Sequence, residues 1–75
     1  MKKFTVFTKN NCIQCKMTKR FLNENGIVFE EKNINENPEY IEYLKNQGFA
    51  AVPVVEGNGI QAFAGFRPDA LKQLA

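Results

Sequence analysis

Cys12 and Cys15 are the two cysteines of the 75-residue chain, and the chain has no histidine. A disulfide framework for a small secreted protein uses several pairs spread along the sequence. One close pair cannot staple a fold, so its reason to exist is chemical. If Cys12 opens a helix, its sulfur meets unpaired N–H groups and the positive end of the helix dipole. That environment lowers a thiol pKa, and the thiolate is the nucleophile. Cys15 then lies one turn inward, within reach but shielded. The spacing suits a two-step exchange in which Cys12 attacks a substrate disulfide and Cys15 resolves the mixed disulfide. Lys9, just upstream, adds positive potential. Two rival readings exist for the pair. Both cysteines can be small core hydrophobes, or they can hold a metal. Zinc takes about four ligands, and two thiols without histidine fall short of that, so neither metal nor any other cofactor is expected.

The elements that must position this pair are legible in outline. Residues 3–8 alternate and are rich in aromatic and β-branched side chains, which predicts a first strand. Lys9-Asn10-Asn11 breaks the pattern, and Asn11 is a plausible helix cap. Over residues 12–25 the apolar Ile13, Met17, Phe21 and Leu22 recur at helical spacing, and Gly26 suits the left-handed position after a helix. Residues 27–34 read as a second strand. Asn37-Pro38 is a helix start, with Pro38 where a missing N–H costs nothing. Tyr40, Ile41 and Leu44 form the stripe of that helix, and Gly48 ends it. Val52, Val54 and Val55 make a third strand, Glu56-Gly57-Asn58-Gly59 a hairpin turn, and residues 60–63 the returning strand. Gly65 breaks it, and residues 68–74 form a last helix. The order β-α-β-α-β-β-α predicts an α/β fold: a parallel βαβ unit followed by an antiparallel hairpin, with four strands in one mixed sheet and three helices.

Pro53 stands at the entry to the third strand. Proline avoids strand interiors, so it occupies an edge or a bend. It is either a plain strand-entry residue or a cis-proline facing the cysteines, and only about 5–6% of X–Pro bonds are cis in folded proteins.

Bulk properties narrow the function. A chain of this length is expected to form one domain, residues 1–75. Ten basic and eight acidic residues are mixed along it, with no like-charge run of the kind that marks a nucleic-acid or membrane footprint. No apolar stretch approaches the ~20 residues of a membrane span. Met1-Lys2-Lys3 is basic, but the apolar residues that follow are too few and too polar for a signal peptide. A cytoplasmic monomer is the simplest expectation.

Taken together, the first strand, Cys12-Ile13-Gln14-Cys15 and Ala51-Val52-Pro53 resemble the thioredoxin superfamily and, within it, the glutaredoxin-like branch. The match runs over essentially the whole chain. Two segments narrow it to a resemblance to the NrdH-redoxins, small electron donors of class Ib ribonucleotide reductase. One is the C-x-Q-C active site with Gln14. The other is Ala64-Gly65-Phe66-Arg67-Pro68-Asp69, similar to that family's W-S-G-F-R-P-D. Phe63 and Ala64 depart from it, standing where the family usually has Trp and Ser.

The resemblance implies the thioredoxin fold, a cis Pro53 preceded by Val52, Cys12 as nucleophile and Cys15 as resolving thiol. It also implies thioredoxin reductase as the electron source and class Ib ribonucleotide reductase as the client. Phe63, Gly65, Phe66 and Arg67 become candidate partner contacts, although the two Phe can equally fill the core and Arg67 can simply pair with Asp69. A glutathione-dependent glutaredoxin is the rival within the redox class. The chain lacks both C-P-Y-C and the G-G-x-D type of segment that holds glutathione. A soft-metal carrier is the rival from another class, but small C-x-x-C carriers run β-α-β-β-α-β, and residues 27–34 supply only one strand between the first two helices.

Overall fold

The computed structural model describes residues 3–74; the Met1-Lys2 pair weighed above as the start of a leader lies outside them. The order is β1 (Phe4–Thr8), α1 (Ile13–Glu24), β2 (Phe29–Asn33), α2 (Glu39–Asn46), β3 (Val54–Gly57), β4 (Phe63–Ala64) and α3 (Pro68–Lys72). The strands form one mixed sheet in the order β2-β1-β3-β4. β1 pairs parallel with β2, and the β1–β3 and β3–β4 pairs are antiparallel. This is the thioredoxin-type arrangement expected from the sequence.

Strand alternation divides the core into two layers. Val6 and its partner Val55 point to one face, where Leu22 of α1, Phe63 and Leu71 of α3 join them. Phe7 and its partner Val54 point to the other face and meet Leu44 of α2. The sheet is thus covered on both sides, by α1 and α3 on one and α2 on the other. The Phe7 ring lies edge-on to Tyr40 at 5.7 Å and stacked on Tyr43 at 5.5 Å between centroids.

Several boundaries differ from the sequence reading. β2 starts at Phe29, not at 27, because the Ile27 N–H closes the end of α1 on the Leu22 carbonyl at 2.9 Å, and Val28 is 85% exposed. β3 starts only after Pro53. The returning strand is Phe63–Ala64 and not 60–63. The register explains this: Gly57 still pairs with Phe4 of β1, so β3 outlasts its hairpin partner and the chain arcs through 58–62 before pairing at Val55↔Phe63. A side chain at Gly57 would meet the Phe4 ring and the Lys3 carbonyl, which is why this strand end is glycine. α3 is shorter than the predicted 68–74, ending at Lys72.

The inner face of α1 also differs. It buries Cys15, Thr18 and Leu22. Ile13 is 74% exposed and Met17 42%. The helix is rotated so that Cys15 lies against the sheet, and residues three and seven positions on follow it inward. Thr18 tolerates full burial because its hydroxyl donates to the Gln14 carbonyl at 2.9 Å. Leu22→Ala is therefore expected to cost about 2–5 kcal/mol in urea denaturation, and Ile13→Ala less than about 0.5 kcal/mol. Equal losses would contradict the observed rotation of α1.

Candidate active site

β1 delivers the chain to a tight turn at residues 9–11. Asn11 takes a left-handed φ of 57°, a region that asparagine tolerates better than most residues. This corrects the expectation that Asn11 caps α1. The turn instead leaves Cys12 extended, with φ −112° and ψ 109°, as the N-cap. Its Sγ accepts the Cys15 N–H at 3.1 Å, and its carbonyl accepts the Lys16 N–H at 3.1 Å. The sulfur occupies the place a Ser or Asp oxygen usually fills. Cys12 and Cys15 are joined in a disulfide, with Cα atoms 5.2 Å apart. Cys12 is 8% exposed and Cys15 1%, so the outer sulfur is the one that solvent or a partner reaches first.

The Val52–Pro53 bond is cis, as the resemblance implied, and Pro53 is fully buried. Its carbonyl accepts the Gly65 N–H at 2.7 Å. Gly65 has φ 86°, and its backbone lies close to the Gln14 side chain. Cys12, Gln14, Pro53 and Gly65 thus gather at one end of the sheet. Val52 lies on the α2 side, lining a shallow apolar groove with Ile34, Ile41 and Phe49 and with Lys9 at its rim.

The candidate partner contacts separate. Phe63 is 9% exposed and packs in the α1/α3 core; it is not contact surface. Phe66 is half-buried against the same cluster. Arg67 is exposed, with a guanidinium nitrogen 3.6 Å from Asp69. Among the described residues no buried side-chain N or O atom lacks a partner, so Phe63 and Ala64 leave no orphaned group where the resemblance led to the expectation of Trp and Ser.

The sequence reading missed two polar groups beside the disulfide. The first ties the Cys12 turn to the loop after β2. The Asn10 N–H donates to Asn35 Oδ1 at 2.7 Å, Asn33 Nδ2 donates to Asn10 Oδ1 at 3.0 Å, and the Asn35 N–H donates to Asn33 Oδ1 at 2.7 Å. Five asparagines lie within residues 10–11 and 33–37, but only the Thr8↔Asn33 register brings the two runs together. The second is Glu31, whose Oε2 accepts from Thr8 Oγ1 at 2.7 Å and from Lys19 Nζ at 2.9 Å. Burial alone raises the Glu31 pKa, but the bonds from Lys19 and Thr8 and the Lys19 charge outweigh it and hold the carboxyl below its ordinary value.

Chemically, a disulfide between a helix-capping, outward cysteine and a buried cysteine one turn on can be reduced and re-formed, moving two electrons and two protons per cycle. Among the described residues no group of three or more His, Cys, Asp or Glu gathers to hold a metal ion, and no helix is long and apolar enough to cross a membrane.

Fold and site together define a thiol–disulfide oxidoreductase of the thioredoxin fold. The glutaredoxin family profile matches residues 4–60. The glutaredoxin-like protein NrdH of Lactococcus lactis is 51% identical over 71 residues, 95% of this chain and 97% of the relative. NrdH of Escherichia coli is 40% identical over 72 residues, 96% of this chain and 88% of the relative. The solved structure of the E. coli NrdH-redoxin superposes with a TM-score of 0.91 at 41% identity, covering 97% of this chain and 95% of that one. The chain belongs to the glutaredoxin family, in its NrdH branch.

The Glu31 cluster carries a pH dependence. A carboxyl whose pKa is lowered on folding stabilises the protein above its unfolded value of ~4.3, and that contribution is lost as pH falls through the lower folded value. Wild type is expected to melt above Glu31→Gln at neutral pH, with the gap narrowing by about pH 3. A gap that stays constant on acidification would mean that Glu31 acts without its charge.

Proposed function

We propose that this protein is a dithiol electron carrier that takes electrons from thioredoxin reductase and delivers them to class Ib ribonucleotide reductase in the cytoplasm. The observation that carries the reading is the meeting of its two narrowest motifs at the disulfide: Gln14 of Cys12-Ile13-Gln14-Cys15 beside Gly65 of Gly65-Phe66-Arg67-Pro68-Asp69, which is bonded to the cis-Pro53 carbonyl. Its structural neighbour, the E. coli NrdH-redoxin, is described as having a thioredoxin-like activity profile, which supports a reductase rather than glutathione as the donor.

In the proposed cycle the reduced protein presents a Cys12 thiolate and a Cys15 thiol. Cys12 attacks a client disulfide, forming a Cys12–client bond and expelling the client's second sulfur, which takes up a proton. Cys15 loses its proton and attacks Cys12 Sγ, the client's first sulfur leaves as a thiolate, and the Cys12–Cys15 disulfide is restored. Two electrons have passed to the client, and thioredoxin reductase returns them from NADPH. Exposed Gln14 and half-buried Val52 offer side-chain surface to the client, and the fully buried cis-Pro53 sets the course of the backbone after Val52.

NADPH oxidation coupled to reduction of insulin tests the donor. Turnover is expected with thioredoxin reductase and not with glutathione plus glutathione reductase. Adding an oxidised class Ib ribonucleotide reductase in place of insulin tests the client. Turnover only with glutathione would make the protein a glutathione-dependent glutaredoxin and remove the ground for this client.

A further inference from the structure

An open polar cleft runs along the β2 side of the disulfide. Both Cys12 and Cys15 line it, together with Lys9, Lys16, Lys19 and Glu31. Three lysines face one carboxylate there. Glu31 is committed to Lys19 at 2.9 Å and to the Thr8 hydroxyl at 2.7 Å. Lys9 and Lys16 form no ion pair among the described residues. The cleft thus holds an excess of two positive charges, equal to the formal net charge of the whole chain, +2. The remaining surface is balanced on average, and the imbalance is concentrated beside the disulfide.

The sheet order places this cleft relative to the rest of the site. Glu31 belongs to β2, on one side of β1, and Pro53 leads into β3, on the other. Cys12, just beyond the end of β1, lies between them and lines the cleft, so residues flanking a client cysteine that reaches Cys12 come beside the cleft. A low-dielectric wall and fixed like charges focus the local field and raise the encounter rate of an oppositely charged partner.

From this we infer that the cleft selects clients by charge: it receives a peptide segment carrying Asp or Glu residues next to the reacting cysteine, with Lys9 and Lys16 meeting those carboxylates. The inference rests on the thiol–disulfide exchange at Cys12 and Cys15, and it holds whichever reductase or client the protein serves. The exchange is the one written above. The peptide disulfide is reduced, the Cys12–Cys15 pair is oxidised, and the charge contacts change no bond.

The test uses the full chain, pre-reduced and freed of reductant. It reacts with symmetric disulfides of three short peptides whose single cysteine is flanked by Asp, Ser or Lys. Flanking charge also changes the reactivity of the peptide disulfide itself, so each rate is divided by that of the same peptide with dithiothreitol. At low ionic strength the normalised rate for the Asp peptide should exceed that for the Lys peptide by about tenfold. The ratio should fall toward one at about 1 M salt, where the Debye length is ~3 Å. It should invert in the Lys9→Glu/Lys16→Glu double variant. The Ser peptide reads intrinsic thiol reactivity in each protein, so a general loss of activity in the variant leaves the ratio interpretable. A ratio near one at low salt, or an acidic preference that persists in the double variant, would overturn the inference. Neither result would bear on the electron donor.

Discussion

The end of α1 is capped by a sulfur. The Cys15 N–H points at Cys12 Sγ from 3.1 Å, and that single contact links the polypeptide's architecture to its chemistry. A helix N-terminus leaves backbone N–H groups without partners inside the helix. In most proteins an oxygen takes one of them. Here a sulfur does, and the same donor that satisfies the helix favours negative charge on that sulfur once the disulfide is opened. The contact requires Cys12 to be extended just before a helix, which in turn requires the chain to turn sharply out of β1. Asn11 makes that turn with a φ of 57°, and the asparagine ring that joins the turn to the β2–α2 loop holds it in place.

The rest of the fold works to support that end of the sheet. β1 is flanked by β2 and β3, so the strand that delivers Cys12 is anchored on both edges, as is β3, which follows Pro53. Val6 and Phe7, successive residues of β1, tie the two core layers to it from opposite faces. The C-terminal segment reaches the site through one backbone bond, from the Gly65 N–H to the Pro53 carbonyl at 2.7 Å. Phe63, just before it, serves the core, and its burial under α1 and α3 fixes where Gly65 can go.

Much of this was legible from residue types. The strand-and-helix order, the placement of the cysteines at a strand-to-helix junction and the glycine stops after α1 and α2 all follow from short-range patterns, because each depends on local periodicity or on a backbone conformation that few residues adopt. What was not legible depends on pairings between distant segments. The inner face of α1 follows Cys15, Thr18 and Leu22, and a buried threonine is invisible to an apolar stripe. The short β4 follows from how far β3 pairs with β1, a register that no local pattern encodes. Glu31 reads as one more surface charge until the register sets it opposite Val6, on the face of the sheet that α1 covers. Even Asn11, a correct signal of helix initiation, was misassigned by one position, because in a C-x-x-C junction the sulfur competes for the cap.

The central claim is that the sulfur cap makes Cys12, and not Cys15, the reactive thiol. The direct measurement is the pH dependence of alkylation of the fully reduced protein by iodoacetamide, with each cysteine followed separately by peptide mass spectrometry. The account predicts that Cys12 is labelled first, with a midpoint below the ~8.5 of free cysteine, and that Cys15 titrates above it. Predominant labelling of Cys15, or a Cys12 midpoint at or above that of free cysteine, would contradict it.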